Sequence, residues 1–346
     1  MTNANRRAAR IKICAALCAG VIAVAAAIAI GSVRVPLGDA WAIIAHRVFG
    51  AELREGIRNT TVTILWNSRL PRALLAFIAG AALSVSGAVM QSALRNPLAS
   101  SYTLGVSSGA SFGASLVILF GFSLPFLPGF SLPVMGFVFG LATILIATAF
   151  ASRIDGRMEN NTIILTGMVF SLFITAMTTL MSAMAREQVQ RLVFWQMGSF
   201  AMKGWQPVAV LAPMTLAGVL FIAHYNRELD IMTFGEEQAR TMGVNLKRVK
   251  WTLLLLAAAL TGSAIAFTGV IGFVDLVAPH VVRRIFGPAH RLVIPMSAVA
   301  GGTFMVVCDL AARTVVSPGE LPVGAVTAII GAPFFAYIYF GKRRKI

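Results

Sequence analysis

Charge is scarce in this 346-residue chain: Asp, Glu, Lys and Arg together make up 12% of it, against 58% apolar residues and a mean hydropathy of +0.81. Soluble domains carry about twice that charged fraction, roughly 25%, so the composition belongs to the membrane class. Acidic residues are scarcer than basic ones, 13 against 29, and the net charge is +16. In a soluble chain such an excess points to nucleic acid; in a lipid-embedded one it marks basic loops facing an anionic leaflet, and no nucleic-acid partner is expected. The three cysteines, Cys14, Cys18 and Cys308, fall in apolar runs without ligand spacing, which removes a disulfide or metal framework. No GxxxxGK[ST] loop is present, so the chain does not itself hydrolyse ATP. His46, His224, His280 and His290 are scattered, with no HExxH and no nucleophile–base spacing; neither an enzyme nor a resident cofactor or metal is expected. Low-complexity linkers and water-soluble domains are missing too, and 1–346 reads as a single membrane domain.

What is there is a series of apolar runs. A bilayer core about 30 Å thick needs roughly 20 apolar residues per helical span. Such windows occur at 13–33, 72–93, 99–120, 132–151, 162–184, 207–224, 252–272, 293–312 and 322–341. The first, with its basic start, is longer than the roughly 7–15 apolar residues of a signal core and reads as an uncleaved span. Basic clusters at both ends, Arg6, Arg7, Arg10 and Lys12, then Lys342, Arg343, Arg344 and Lys345, put both termini on the cytoplasmic side. That requires an even number of spans, so the short, proline-bearing stretch 272–286 is taken as a tenth crossing. The resulting topology places 19 of the 29 basic residues inside, Arg153, Arg157, Lys250 and Arg283 among them. It leaves 34–71 as an external segment, with 39–50 as a surface helix, and 226–250 as a polar cytoplasmic segment.

That cytoplasmic segment contains a well-made short helix. Glu236 and Glu237 sit at its positive end and Arg240 near its negative end, each favourable to the helix dipole. Gly243 follows where a left-handed C-terminal cap is usual. Phe234, Ala239 and Met242 would supply a small apolar face. A helix this short is marginal alone in water, so a partner or the rest of the chain must hold it.

Three further patterns carry chemistry. In "LRNPLASSYTLGVSSGAS" (94–111), Asn96 is placed to cap a helix with Pro97 in its first turn, and the small residues beyond allow close helix packing or line a wet cavity. Ser171, Thr175, Thr178 and Ser182 recur at helical spacing and share one face of the fifth span; packing between helices or the lining of a pathway both account for them. Met177, Met181 and Met184 on nearby faces read as core filling. Arg69 and Arg72 at the outer end of the second span, and Arg313 at that of the ninth, would attract an acidic partner or anchor headgroups. Asp309 stands at i,i+4 spacing from Arg313 and suits an internal pair.

Taken together, "RLPRALLAFIAGAALSVSGAVMQSALRNPLA" (69–99), "LGVSSGAS" (104–111), "FGEEQARTMGV" (234–244), "APHVVRRIFGPAHR" (278–291) and "ELPVGAVTAIIGAPFF" (320–335) resemble the FecCD family. These are permease subunits of importers for ferric siderophores, haem and cobalamin. The resemblance runs almost from end to end. It implies an all-α membrane protein of ten transmembrane helices per subunit, the type II ABC importer permease fold, paired as a homodimer around a central pathway in the cytoplasmic (inner) membrane. It further implies two cytoplasmic ATPase subunits holding ATP and Mg, and an external substrate-binding protein that delivers the cargo, a ferric siderophore being the default.

The resemblance also assigns roles. Phe234, Gly235, Glu236, Glu237, Arg240, Met242 and Gly243 fall in the loop that docks on the ATPase. Arg69, Arg72 and Arg313 match arginines that pair with glutamates on the binding protein. Ser171, Thr175, Thr178 and Ser182 lie on the helix that lines the route. Asn96, Leu98, Asn160 and Asn161 match segments of a cytoplasmic gate. Asp275 stands where relatives carry glycine or another small residue; within a span a carboxylate costs roughly 2.5–3.5 kcal/mol at the centre. The rival reading is a proton- or sodium-driven secondary transporter. Such carriers bury acids or histidines near the midplane, whereas Asp275 and Asp309 both read as close to the outer ends.

Overall fold

The computed structural model describes residues 3–31, 35–127, 129–156 and 158–340. Arg34, Arg157, Lys342, Arg343, Arg344 and Lys345, all used in the charge reading, lie outside the described residues. In chain order the helices are α1 (Asn3–Ala29), α2 (Leu37–Phe49), α3 (Asn59–Ile64), α4 (Leu70–Ala93), α5 (Val106–Phe120), α6 (Ser131–Ile154), α7 (Asn160–Met184) and α8 (Val189–Gln196). They continue as α9 (Trp205–His224), α10 (Asn226–Met232), α11 (Glu236–Thr241), α12 (Leu246–Thr268), α13 (Val274–Phe286), α14 (His290–Thr314) and α15 (Val323–Phe340). No strand occurs among the described residues.

Seven of these stretches are long and apolar enough to cross a membrane: α1, α3 with α4, α6, α7, α9, α12 and α14. With α5 and α15, shorter apolar helices, and with α13, they make the ten elements expected, all helical, in a multi-pass membrane protein. At 13 residues and 1.5 Å per residue α13 rises only about 20 Å, short of the roughly 30 Å of a bilayer core.

Two boundaries differ from the sequence reading. The run 99–120 is helical only from Val106. Its first part is a string of turns in which Ser100 and Thr103 satisfy each other: Thr103 Oγ1 donates to the Ser100 carbonyl at 2.8 Å and accepts from the Ser100 amide at 3.2 Å. Asn96 therefore caps no helix; its Oδ1 accepts from the Leu98 amide at 2.9 Å, closing a turn around Pro97. From Ala99 to Gly105 the non-helical backbone is mostly buried by protein, the condition under which it is tolerated in a membrane. The run at 72–93, conversely, begins early. Chain from Asn59 is already helical and passes through a wide turn, Leu65–Arg69, where the Leu70 amide reaches five residues back to Leu65. Pro71 follows and has no amide to lose there. The segment 34–71 is thus largely helical, α2 taking the place of the expected surface helix.

α4 is the axis of the fold, buried on nearly all sides, as an evenly apolar helix should be. Glycine makes its closest approaches possible. A Cβ on Gly80 would stand 2.3 Å from the Gly301 carbonyl of α14, and one on Gly87 would stand 1.9 Å from the Asp275 carbonyl of α13. Without a strong hydrophobic drive between helices in lipid, such small-residue contact is what holds them. A buried hydroxyl trio adds direction: Ser86 of α4 hydrogen-bonds Ser101 at 2.7 Å, and Thr261 of α12 bonds both, at 2.7 and 2.9 Å. α1 and α7 are peripheral, with most of their surface outward.

Candidate functional site

Three sites bring the singled-out residues together: a polar cleft beside α11, a groove along α7, and an arginine cluster at the opposite end from α11.

α11 starts at Gly235, whose φ of +131° only glycine adopts without strain. It ends in a Schellman motif: the Gly243 amide donates to Arg240 and the Val244 amide to Ala239, each at 3.0 Å, with Gly243 at φ +85°. The expected left-handed cap is there. The expected apolar face is not. Ala239 is fully buried against the protein, whereas Phe234 and Met242 stand out at 72% and 60% exposure. Residue spacing put the three on one side; the turn at Gly235 carries Phe234 away from the helix. Glu236 differs too. Its Oε1 accepts from Lys250 Nζ at 2.8 Å, and that ammonium, fully buried, also donates to the Met158 carbonyl at 2.7 Å. Lys250 is thus not a loop charge facing water but a clasp tying α11 to α12 and to the turn before α7. Glu237 and Arg240 remain exposed.

Beside this helix lies a cleft of about 580 Å³, lined by Arg95, Glu159, Asn160, Asn161, Phe234–Gln238 and Arg240. Two of the residues expected at a gate, Asn160 and Asn161, therefore share one cavity with residues expected to dock on an ATPase. Asn96 and Leu98 occupy the neighbouring turn, Leu98 at 47% exposure, outside that lining.

The Ser171, Thr175, Thr178 and Ser182 stripe does line a groove, of about 610 Å³. Tyr102, Ser107, Ser108 and Ser111 face it from the 94–111 segment, and Gln196 from α8. Ser107 and Ser108 are among the small residues considered for a wet cavity; Tyr102, Ser111 and Gln196 escaped the sequence reading, since only the fold brings them opposite α7. The small residues of 94–111 turn out to serve both purposes considered for them: a Cβ on Gly109 would strike the Phe139 carbonyl of α6 at 2.5 Å, while Ser107, Ser108 and Ser111 face the groove. Most hydroxyls of the stripe are already satisfied: Thr175 donates to the Ser171 carbonyl at 2.7 Å, Thr178 to Ile174 at 3.0 Å and Ser182 to Thr178 at 2.8 Å. Ser108 reaches across to Ser171 at 3.1 Å. The wall is weakly polar and carries no formal charge among its lining residues.

At the other end, Arg69, Arg72 and Arg313 converge on a small pocket with Glu320. Arg72 dominates it. Its Nε donates to both oxygens of Asp309 at 3.1 and 3.0 Å and its Nη2 adds 2.9 Å, while Nη1 and Nη2 hold Glu320 at 2.8 and 3.0 Å. The i,i+4 pair read from sequence exists only loosely, Arg313 Nε lying 3.9 Å from Asp309. Arg69, 5% exposed, donates to the Ile28 and Ala29 carbonyls at 3.2 Å each, and Arg313 donates to the Ala27 carbonyl. Three cations against two carboxylates leave a net positive pocket whose one exposed acid is Glu320.

Comparison with known proteins agrees with this geometry. The FecCD transport family matches residues 18–340. An ABC transporter permease protein of Bacillus subtilis, YvrB, itself uncharacterised, is 40% identical over 317 residues, covering 92% of this chain and 90% of its own. The cobalamin import system permease protein of Halobacterium salinarum is 35% identical over 290 residues, 84% of this chain and 77% of that one. Among solved structures, an inward-facing metal-chelate type ABC transporter superposes with a TM-score of 0.82 at 28% identity, over 94% of this chain and 98% of that one.

Proposed function

Because the chain belongs to the FecCD transport family, we propose that it is the membrane permease subunit of an ATP-driven importer for a large metal chelate, such as a ferric siderophore, haem or cobalamin. The observation that carries this reading is the α10–α11 surface. Phe234 and Met242 project from it, 72% and 60% exposed, Glu237 and Arg240 flank them, and Glu236 is locked down by Lys250 so that the platform keeps its shape. Exposed apolar side chains ringed by polar ones mark a docking surface. The partner that fits is a cytoplasmic ATPase, which supplies ATP and Mg chemistry that this chain has no loop to perform.

The rest of the architecture follows from that assignment. α11 faces the cytoplasm, and both termini share that side. The arginine pocket then faces outward, where its net positive charge suits acidic residues of a binding protein delivering cargo. The α7 groove, open along one side, becomes a closed route when a second copy of the chain faces it, and two copies recruit two ATPases in the inner membrane.

Proteoliposomes decide between this reading and a gradient-driven carrier. Vesicles containing the chain with its ATPase and binding protein are offered cyanocobalamin, haemin and ferric citrate in turn. Uptake of one of them that needs ATP and both added proteins is the expected result. Uptake by the chain alone, driven by a proton or sodium gradient, would overturn the assignment.

A further inference from the structure

Beneath the docking surface runs a line of polar side chains that neither the docking platform, the groove nor the arginine pocket uses. Asp230, on α10, accepts from the backbone amide of His290 at 2.9 Å and pairs with its Nδ1 at 2.6 Å. His290 opens α14 and is 1% exposed. Its Nε2 meets Ser92 Oγ, in the last turn of α4, at 2.6 Å. Ser92 Oγ also accepts from Arg283 Nη2 of α13 at 3.0 Å, and the same guanidinium donates to the Ala88 carbonyl at 3.0 Å and to Gln91 Oε1. Gln91 Nε2 in turn donates to the Asp275 carbonyl at 3.3 Å.

The donor inventory fixes the direction of the line. Arginine can only donate, so Ser92 spends an acceptor site on Arg283 and turns its own proton to His290 Nε2. Nε2 is then the acceptor, Nδ1 carries the proton, and it is given to the Asp230 carboxylate. Donation runs Arg283 to Ser92 to His290 to Asp230, joining α13, α4, α14 and α10 in one sequence of bonds. The line is buried at Ser92 and His290 and reaches solvent at Asp230, and its buried members hold only when each is satisfied.

Ser92 and Gln91 do a second thing. The Arg95 amide hangs from the Ser92 carbonyl at 3.2 Å and the Asn96 amide from the Gln91 carbonyl at 3.1 Å. The turn 95–98, which holds Asn96 and Leu98, is thus suspended from the two residues whose side chains the polar line grips. A displacement of α10 pulls on His290, then on Ser92, then on that turn.

We propose that Ser92 and His290 are positioning residues that carry movement of α10 to the turn 95–98, so that contact with the motor opens or closes the inner mouth of the pathway. The inference rests on the reading of α10–α11 as the ATPase-docking surface, and its test separates the two. The assembled complex, in a background where Cys14, Cys18 and Cys308 are replaced by alanine, receives either Leu98→Cys or Arg227→Cys. Alkylation of each thiol by a water-soluble maleimide is timed with and without ATP plus vanadate. In the parent both positions change rate by at least about fivefold, the lower end of ordinary site-to-site coupling. Ser92→Ala keeps ATP hydrolysis and the Arg227 response but loses the Leu98 response. Asp230→Asn also loses the Leu98 response, and the double variant is no worse than either single, as members of one chain require. An undiminished Leu98 response in Ser92→Ala overturns the proposal. So does additive loss in the double variant, or loss of both responses together with hydrolysis, which would make the line mere scaffolding. A parent without any response at Arg227 sinks the docking assignment itself.

Discussion

Arg72 shows how much one side chain organises. Its head holds Asp309, 1% exposed, with three of its bonds and Glu320 with two more. Removing one partner of a buried pair leaves an uncompensated charge, so Arg72→Ala should lower stability by about 3–5 kcal/mol. Thermal unfolding in detergent is the check, and adding Asp309→Asn should restore most of the loss. Arg69 plays a different part: its guanidinium rests on the end of α1. Arg69→Glu should weaken capture of the binding protein, and more steeply at low ionic strength, where screening is least; flotation of vesicles with labelled binding protein measures it. The sequence made Arg69, Arg72 and Arg313 visible as an outer cluster, because helix ends can be counted. It could not show that Asp309 would choose Arg72, 237 residues away, over its i,i+4 neighbour Arg313. Local spacing reports only local pairs, and the stronger pair is tertiary. Ser92 and His290 were opaque for the same reason, each an ordinary residue until α4 and α14 meet.

Among the elements, α11 was the most legible. Acidic residues at its start, Arg240 near its end and Gly243 after it are cap and dipole signals that operate within one turn, and the Schellman bonds at Gly243 and Val244 fulfil them. Proline there would fix φ near −65° where the chain needs +85°, and would delete the amide that bonds Arg240. Gly243→Pro should therefore abolish assembly with the ATPase or leave hydrolysis running without transport. Phe234→Ala tests the platform without disturbing its backbone. At 72% exposure the ring contributes little to the fold, so stability should hold while affinity for the ATPase falls by about 2 kcal/mol, the size of an interface anchor. Pull-down across a dilution series reads the difference. The turn 94–105 was the least legible element. Its small, apolar and hydroxyl residues have the composition of a span, and only the mutual bonds of Ser100 and Thr103, with Gly105 at φ +88°, reveal that the helix waits until Val106.

The ten helices and their order could be read because lipid imposes a length and a composition on each, and the fold adds how they pack around α4 and leave a groove along α7. Along the α7 groove the lining is Ser, Thr, Tyr, Gln and Val, and the hydroxyls of Thr175, Thr178 and Ser182 already bond their own helix. A wall of this kind offers a passing chelate no fixed ligand and no charge to escape from. If the chain is the permease proposed above, selection of cargo falls to the protein that delivers it, and the groove needs only width. The consequence separates chemistry from shape at one position. Thr175, exposed to the groove, can lose its hydroxyl in Thr175→Val at a cost on the order of one satisfied hydrogen bond, about 0.5–1.5 kcal/mol at most, so uptake should stay within roughly tenfold of the parent. Thr175→Trp fills the same space with an indole and should stop uptake while assembly and ATP hydrolysis persist. Measured together in the same vesicles, a blocked tryptophan variant beside a working valine variant marks a sterically defined conduit. A valine variant as dead as the tryptophan one would mean that the Thr175 hydroxyl binds the cargo directly, and that selectivity is written into this chain after all.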